Sequence, residues 1–309
     1  MPPLKRLAIV LLLCITVGEG LPAAGPEFRL PPGFEIELLA DDMPSARSMT
    51  WGEAGTLFVA TRREDRVYAI RNALTSDPRV LVVATGLKTP NGVAFLDGSL
   101  YIAEPKRVLA LREIETRLEN PPLAEVVVAE LPFKNGLHAW KYIAFGPAGR
   151  LYVPVGAPCN VCDQDGFALI MSMEPDGSDQ RIEARGVRNS VGFDWHPETG
   201  ELWFTDNGRD MLGDDEPPCE LNRLAESGQH FGFPFCHGGT LADPKFGELG
   251  RCEDSVAPVQ GLAPHSAPLG MAFYTGDAFP EDYRGQIFIA EHGSWNRSAE
   301  AGKTGYRVT

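Results

Sequence analysis

One phrase returns five times along the 309-residue chain: an apolar or aromatic pair, a short turn with Gly, then Leu or Ile followed by an aromatic residue. Each copy has the pattern of two short strands joined by a turn, which is typical of a β-hairpin. The copies read MTWGEAGTLFVA, VAFLDGSLYIA, IAFGPAGRLYVP, FDWHPETGELWFT and MAFYTGDAFPEDYRGQIFIA. Their matching positions are Leu57, Leu100, Leu151, Leu202 and Ile287.

The spacing of these copies indicates the architecture. The first four are roughly 40 to 50 residues apart, which is the period of propeller blades, and almost no helical period is present. A strand-like run, GFEIELLA, begins at Gly33, and the chain stops at GYRVT in what reads as another strand. We therefore predict an all-β, six-bladed β-propeller over residues 25–309, with the chain ending inside the fifth blade. A complete five-bladed propeller is the alternative.

The last interval between copies is longer because it holds a segment rich in Gly, Pro and acidic residues, from Asp206 to Asp254. We interpret it as a loop insertion between blades, and loops at one end of the channel are where propellers usually carry function.

The first 24 residues have the layout of a secretory signal peptide. Lys5 and Arg6 precede a short apolar run, which small residues follow. An uncleaved membrane anchor, or a lipoprotein anchor at Cys14, is the alternative. The prediction is a periplasmic or secreted protein that is not stably inserted in a membrane after cleavage.

Charge and cysteines narrow the functional class. The net charge of −14 disfavours nucleic acid and anionic lipid as partners, and suits neutral substrates or cations such as calcium. In a compartment that permits disulfides, proximity predicts the pairs Cys236–Cys252 and Cys159–Cys162, with Cys219 free.

Several polar residues stand where the blades would open onto the channel. His138 precedes the third copy, and a loop histidine can accept a proton near neutral pH, although the pattern alone favours a structural histidine. Arg188 and Asn189 hold the same position before the fourth copy, where they would bind an anionic or carbonyl-bearing ligand or simply form a solvated loop. Acidic residues between Asp206 and Glu220 suggest a calcium loop or an acidic surface.

The combination of NGLHAWKYIAFGPAGRLYVPVGAPCNVC, GVRNSVGFDWHPETGELWFTDNGRDMLGDDEPPCELN, FGFP and YRGQIFIAEHGSWNRS resembles the soluble quinoprotein glucose/sorbosone dehydrogenases, in particular the sorbosone dehydrogenase-like branch. The resemblance runs from about residue 33 to the end. It implies a six-bladed propeller that binds pyrroloquinoline quinone (PQQ) and calcium over the channel mouth.

The resemblance also implies roles for individual residues. His138 matches the general base that takes a proton from the substrate hydroxyl while hydride passes to the quinone C5. Arg188 and Asn189 match cofactor contacts, and we predict further cofactor contacts at Asn207, His292 and Arg297. Four residues match calcium ligands: Gly208 and Arg209 for the calcium on the quinone, and Glu220 and Phe231 for a second ion. This chain departs from the family in having Leu137, not Asp, before the histidine.

The expected function is therefore PQQ- and calcium-dependent oxidation of an aldose or a related sugar alcohol or aldehyde, with electrons passed to an acceptor such as a c-type cytochrome. The alternatives from other classes are a calcium-dependent lactonase-type hydrolase and a non-catalytic propeller that serves as a binding module.

Overall fold

The computed structural model describes residues 28–309, so the predicted signal peptide lies outside the described residues. Five antiparallel sheets follow one another along the chain, and their first strands lie side by side around a centre. This is a β-propeller with five blades in the described part of the chain. No α-helix occurs there, and three 3-10 helices span Ile114–Thr116, Cys252–Asp254 and Glu281–Tyr283.

Each of the first three blades is built from consecutive strands. Blade 1 contains β1 (Ala46–Trp51), β2 (Leu57–Thr61), β3 (Val67–Arg71) and β4 (Arg79–Ala84). Blade 2 contains β5 (Gly92–Leu96), β6 (Ser99–Ala103), β7 (Val108–Leu111) and β8 (Glu125–Val128). Blade 3 contains β9 (Ala144–Phe145), β10 (Leu151–Val155), β11 (Leu169–Met173) and β12 (Arg181–Arg185).

The later blades are less regular. Blade 4 contains β13 (Phe193–Trp195), β14 (Leu202–Asp206), β15 (Cys219–Leu224) and, after an insertion, β19 (Gln260–Leu262). The insertion contains β16 (Gln229–His230), β17 (Cys236–His237) and β18 (Leu241–Ala242). Blade 5 contains β20 (Pro268–Phe273), β21 (Ile287–Glu291) and β22 (Arg307–Val308). Strand β16 pairs in parallel with β12, so the insertion extends the sheet of blade 3.

All five hairpins expected from the repeated phrase are confirmed as the first two strands of the five blades. Their turns need backbone conformations that favour glycine. Between β9 and β10, for example, Gly149 has a φ of +74° and donates its N–H to the carbonyl of Gly146 over 2.8 Å.

Two expectations about the fold need correction. The insertion lies within blade 4, between its third and fourth strands, and not between blades. The run beginning at Gly33 forms no strand. Leu39 and Ala40 in this segment instead pack on blade 1, and Phe34 lies on Phe279 of blade 5 at 4.6 Å between ring centroids.

The hydrophobic core is divided into layers between neighbouring blades. Ala94 of blade 2 packs with Val153 of blade 3, and Ile170 of blade 3 packs with Phe204 of blade 4. The second strands of blades 1 and 2 are therefore buried on both faces, and every residue of β2 and β6 is buried. This stacking holds the blades rigid and leaves their connecting loops to form the site.

Candidate functional site at the upper face

One end of the propeller collects two loops from each of the first four blades and one loop from blade 5. In an antiparallel four-stranded blade, the connection from strand two to strand three and the connection to the next blade leave from the same end. We call this end the upper face. Its loops are residues 62–66, 85–91, 104–107, 129–143, 156–168, 186–192, 207–218, 263–267 and 292–306. Hydrogen bonds join neighbouring loops, such as that from the N–H of Ala157 to the carbonyl of Arg188 at 2.8 Å.

His138 lies in the connection from β8 to β9 and is only 8% exposed. Its Nδ1 is 2.7 Å from the carbonyl oxygen of Ala157. Because a carbonyl only accepts hydrogen bonds, Nδ1 carries the proton and Nε2 keeps a free lone pair. Burial, and next the charge of Arg188, lower the pKa of His138 to about 3. The imidazole is therefore neutral at physiological pH and able to accept a proton at Nε2.

Gly156 brings His138 and Asn189 together. A Cβ at this position would lie 2.6 Å from the Cβ of His138 and 3.3 Å from the Oδ1 of Asn189. Any side chain here would displace His138, so the glycine is required by packing. The sequence prediction that these two positions share the channel mouth is consistent with this contact.

Arg188 is 3% exposed and uses all of its side-chain donors inside the protein. Its guanidinium group donates to the carbonyls of Asn207 and Gly208, to the carbonyl and side-chain oxygens of Asn160, and to the carboxylate of Asp210 at 3.2 Å. A guanidinium group has five N–H donors, and these contacts account for all five. Arg188 thus fixes the loops of blades 3 and 4, and a ligand would have to share one of these donors.

Asn160 is a site residue that the sequence analysis missed. It lies inside the Cys159–Cys162 disulfide, and its Oδ1 accepts hydrogen bonds from Arg188 and from the N–H of Asp210 at 2.8 Å. Its Nδ2 donates to the carbonyl of Asp210 at 2.9 Å. The CNVC spacing signalled the disulfide, but nothing in the sequence indicated partners so distant along the chain.

Asp206 and Glu220 form a buried carboxylate pair at the end of blade 4. They lie opposite each other on β14 and β15. Burial, and next the charge of Glu220, raise the pKa of Asp206 to about 8, and burial raises the pKa of Glu220 as well. Two carboxylates held this close in a buried site favour either a proton or a cation between them.

A cavity of about 10 Å³ adjoins this pair. All four predicted calcium ligands line it, together with Asp206; they are Gly208, Arg209, Glu220 and Phe231. The structure therefore gathers at one small cavity the residues that the sequence analysis divided between two ions. The volume corresponds to about one water molecule.

The cavity wall is braced by an ion pair. Arg209 contacts Asp243, whose Oδ2 also lies 2.9 Å from the Nε2 of His237. Burial acts to raise the pKa of Asp243, but the hydrogen bonds from His237, from backbone N–H groups and from Arg209 lower it to about 2. No cluster of three or more His, Cys, Asp or Glu ligands occurs in residues 28–309. A metal here would depend on backbone carbonyls and few carboxylates, a donor set that suits calcium.

The loop after β21 approaches the same region. Asn296 donates to the carboxylate of Asp210 at 2.6 Å. Arg297 donates to the carbonyl of Asp214 and to Asp215 at 3.2 Å, which ties this loop to the segment that follows β14. The side chain of Arg297 is thereby used within the protein, whereas His292 is exposed.

Asn207 is held between two blades. Its Nδ2 donates at 3.0 Å both to the carbonyl of Asn189 and to the carbonyl of Pro268. Three of the predicted cofactor contacts, Arg188, Asn189 and Asn207, therefore form one hydrogen-bonded network that reaches Asp210, with Asn160 as its link to blade 3.

The cysteines behave as expected. Cys159 pairs with Cys162 and Cys236 with Cys252, while Cys219 is free and buried. In the described part of the chain, no helix has both the length and the apolar character needed to cross a membrane.

Comparison of the chain with known proteins identifies its relatives. A family model described as glucose/sorbosone dehydrogenase matches residues 170–294. An uncharacterized protein of Borreliella burgdorferi is 32% identical over 293 residues, which cover 91% of this chain and 75% of that relative.

Two solved structures share the fold at low identity. The holo form of the pyranose dehydrogenase PQQ domain from Coprinopsis cinerea has a TM-score of 0.75 and 18% identity, over 93% of this chain and 80% of that one. The PQQ-bound aldose sugar dehydrogenase from Streptomyces coelicolor has a TM-score of 0.62 and 20% identity, over 82% and 76% of the two chains. Together with the repeated blades and the residues at the upper face, these matches show that the chain belongs to the glucose/sorbosone dehydrogenase family.

Proposed function

We propose that this protein oxidises the hydroxyl or aldehyde group of an aldose or related sugar, using PQQ and calcium bound at the upper face. The observation that carries the proposal is His138, a buried histidine with a free Nε2 in a family of sugar dehydrogenases. Oxidising an alcohol removes one hydride and one proton, so the site needs an electron acceptor and a base.

In this proposal His138 is the base. The carbonyl of Ala157 holds the ring through Nδ1, so Nε2 faces the substrate hydroxyl and accepts its proton. A low pKa makes a weak base, and a negative charge near Nε2 would raise that pKa. Asn189, across Gly156, would orient the reacting carbon and oxygen.

Orphaned polar atoms support a polar cofactor at this end. The Oγ of Ser190 and the Oδ1 of Asn296 are buried without a hydrogen-bond partner among the described residues, and both residues belong to upper-face loops. Such atoms normally find a partner in a ligand or an ordered water. The residues proposed to hold the quinone are Arg188, Asn189, Asn207, His292 and Arg297. When bound, PQQ supplies the two-electron acceptor at its C5 carbonyl.

The calcium proposal rests on the small cavity beside blade 4. Gly208 and Arg209 would contribute backbone carbonyls, and Glu220 and Phe231 would contribute a carboxylate and a carbonyl. The closeness of Asp206 to Glu220 supports a divalent cation, since an ion between the two carboxylates would relieve their repulsion.

Six blades remain our proposal for the closed ring. Phe34 packs on Phe279 of blade 5, while Leu39 packs on blade 1. The segment at residues 33–40 therefore lies between the first and last described blades, where the outer strand of a further blade would lie. An electron-microscopy or crystal structure would count the blades directly.

The two disulfides support an oxidising compartment, so we also propose a periplasmic or secreted location. The proposed electron acceptor is a c-type cytochrome or another soluble acceptor, and the substrate is a small sugar.

The test is dye-linked oxidation of a panel of aldoses, sorbosone and simple alcohols, with PQQ and calcium added separately and together. Turnover should require both additions, and His138→Ala should lower kcat by about 10² to 10⁴ while the Kd for the quinone stays nearly constant. Absence of quinone binding by the wild-type protein, with hydrolysis of lactones in calcium alone, would replace this function with that of a hydrolase.

A further inference from the structure

Two arginines of blade 1 stand at the upper end without a counter-ion. Arg47 is the second residue of β1, and Arg62 directly follows β2. Both residues are half-buried. Within residues 28–309, neither guanidinium group makes a hydrogen bond or an ion pair with an acceptor. By contrast, the buried Arg188 and Arg150 both contact carboxylates.

Arg62 stacks on an aromatic ring in the connection from blade 2 to blade 3. Its guanidinium carbon lies 3.7 Å from the ring centroid of Trp140, which belongs to the approach to blade 3. Blade 2 lies between them, since the N–H of Thr61 donates to the carbonyl of Pro90 at 3.2 Å. Arg62 therefore joins blade 1 to the loop that enters blade 3, and its aromatic partner is two residues from His138 in the sequence.

The inner end of blade 2 is also bonded to the loop that carries Trp140. The Nδ2 of Asn91 donates to the carbonyl of Lys141 at 2.9 Å, so the loop that carries Trp140 is fixed to blade 2. A cation stacked on an aromatic ring keeps its N–H edge free for a planar acceptor. The N–H edge of Arg62 is thus available at the loop that also carries His138.

The electrostatics favour an anion at this place. Burial, and next the charge of Arg62, lower the pKa of Arg47, and burial, with the charge of Arg63, lowers the pKa of Arg62. The start of β1 lies beside the end of β2, because Ala46 pairs with Thr61 and the N–H of Arg62 donates to the carbonyl of Ser45 at 3.0 Å. Two like charges are therefore close together and partly removed from water, which is unfavourable unless an anion joins them. Acidic side chains abound in a protein of net charge −14, yet none of the described ones pairs with these two arginines.

We propose that Arg47 and Arg62 form a carboxylate-binding site at the channel mouth, for a carboxylate of a small molecule that reaches His138. This proposal rests on the proposed function and deepens it. The carboxylate has two sources in that reaction, an acidic sugar substrate or the quinone cofactor, which is itself a carboxylic acid. Arginine binds a carboxylate through two parallel N–H donors, which gives the site its selectivity.

The experiment measures the KM and, by calorimetry, the Kd for glucuronate and for glucose, two aldoses that differ only in a carboxylate at C6. The Kd for PQQ is measured separately, also by calorimetry. The variants are Arg62→Ala, Arg47→Ala and Arg62→Lys, which keeps the charge but loses the fork. Arg79→Ala is the matched control, because it removes an exposed arginine from the other end of the same blade. Circular dichroism confirms that each variant is folded.

If the substrate brings the carboxylate, Arg62→Ala raises the KM and the Kd for glucuronate about tenfold or more and leaves those for glucose unchanged. If the cofactor brings it, the Kd for PQQ rises by a similar factor, while the KM for both sugars stays constant at saturating quinone. In either case Arg62→Lys has an intermediate effect.

The proposal is overturned if Arg62→Ala and Arg47→Ala match Arg79→Ala in both binding measurements. A wild-type protein that binds no quinone would defeat the proposed function alone. The calorimetric comparison of glucuronate with glucose would still decide the carboxylate site, because it needs no turnover.

Discussion

At the scale of single residues, the environment of His138 determines what the upper face can do. Its Nδ1 is committed to the carbonyl of Ala157, and Gly156 leaves the space in which the ring lies. Leu137 precedes this histidine, so no carboxylate next in sequence supports the ring. A backbone carbonyl performs the orienting role instead, and it fixes the tautomer without adding a charge.

The first prediction concerns the protonation of His138 in the cofactor-free protein. Because burial and Arg188 lower its pKa from 6.5 to about 3, the ring should stay neutral down to about pH 4. The measurement is an NMR titration of the imidazole resonances, assigned by their loss in His138→Gln. A titration midpoint near 6.5 would contradict the burial described for this ring.

The same shift affects stability in a defined direction. Between pH 6.5 and about 3 the unfolded chain binds the proton more tightly than the folded chain does. The contribution of His138 is therefore complete above pH 6.5, and it is lost as the pH falls through that window.

At the scale of elements, the disulfide turn is the part of blade 3 that supports the site of blade 4. Cys159 and Cys162 close a short turn, and Asn160 within it contacts Arg188 and Asp210. A covalently closed turn loses little further entropy when it presents a side chain, which makes it a good support for a buried arginine.

The second prediction is that Asn160→Ala lowers the free energy of unfolding by about 2 kcal/mol, because a buried donor of Arg188 loses its acceptor. It should also lower kcat/KM by about tenfold, since the loops of blades 3 and 4 lose their link. Asn160→Asp keeps the acceptor and should be milder. Thermal melts and steady-state kinetics check both effects, and wild-type values for Asn160→Ala would exclude the supporting role.

The elements also show what a sequence pattern can predict. The five hairpins were predictable because each carries its own turn and its own apolar alternation, so their pairing is local. Strand β19 has no such pattern, and it joins blade 4 only because β15 offers a free edge beside it. GFEIELLA has strand-like alternation, but no described edge pairs with it.

The residues of the candidate site also differ in whether a local sequence pattern could predict them. The placement of His138, Arg188 and Asn189 in upper-face loops could be predicted because they occupy equivalent positions before successive hairpins, and their roles stay predictions. Asn160 and the pairing of Arg62 with Trp140 could not be predicted, because their partners come from other blades. Contacts of this kind depend on how the blades are arranged around the ring, and the repeat in the sequence does not indicate that arrangement.

At the scale of the whole molecule, calcium should act on stability as well as on chemistry. The third prediction is that calcium in about 100-fold excess over its Kd stabilises the folded protein by about 2.7 kcal/mol, seen as a higher Tm. Glu220→Gln should remove most of this gain, because it takes a carboxylate from the cavity beside Asp206. Differential scanning calorimetry with and without a chelator measures this change in Tm.

The matched control for that prediction is Glu226→Gln, which neutralises an exposed glutamate near the end of the same blade. It should keep the full calcium response. An equal response in Glu220→Gln and in the wild type would place the ion elsewhere.

The contact of Phe34 with Phe279 has a consequence for how the molecule folds. Every blade can form from residues near one another in the chain, but this contact joins opposite ends of the sequence and brings no strand pairing with it. Closing so long a loop is entropically costly and is rewarded only when the intervening blades are in place. The contact that closes the ring should therefore form last during refolding and should be lost first under denaturant.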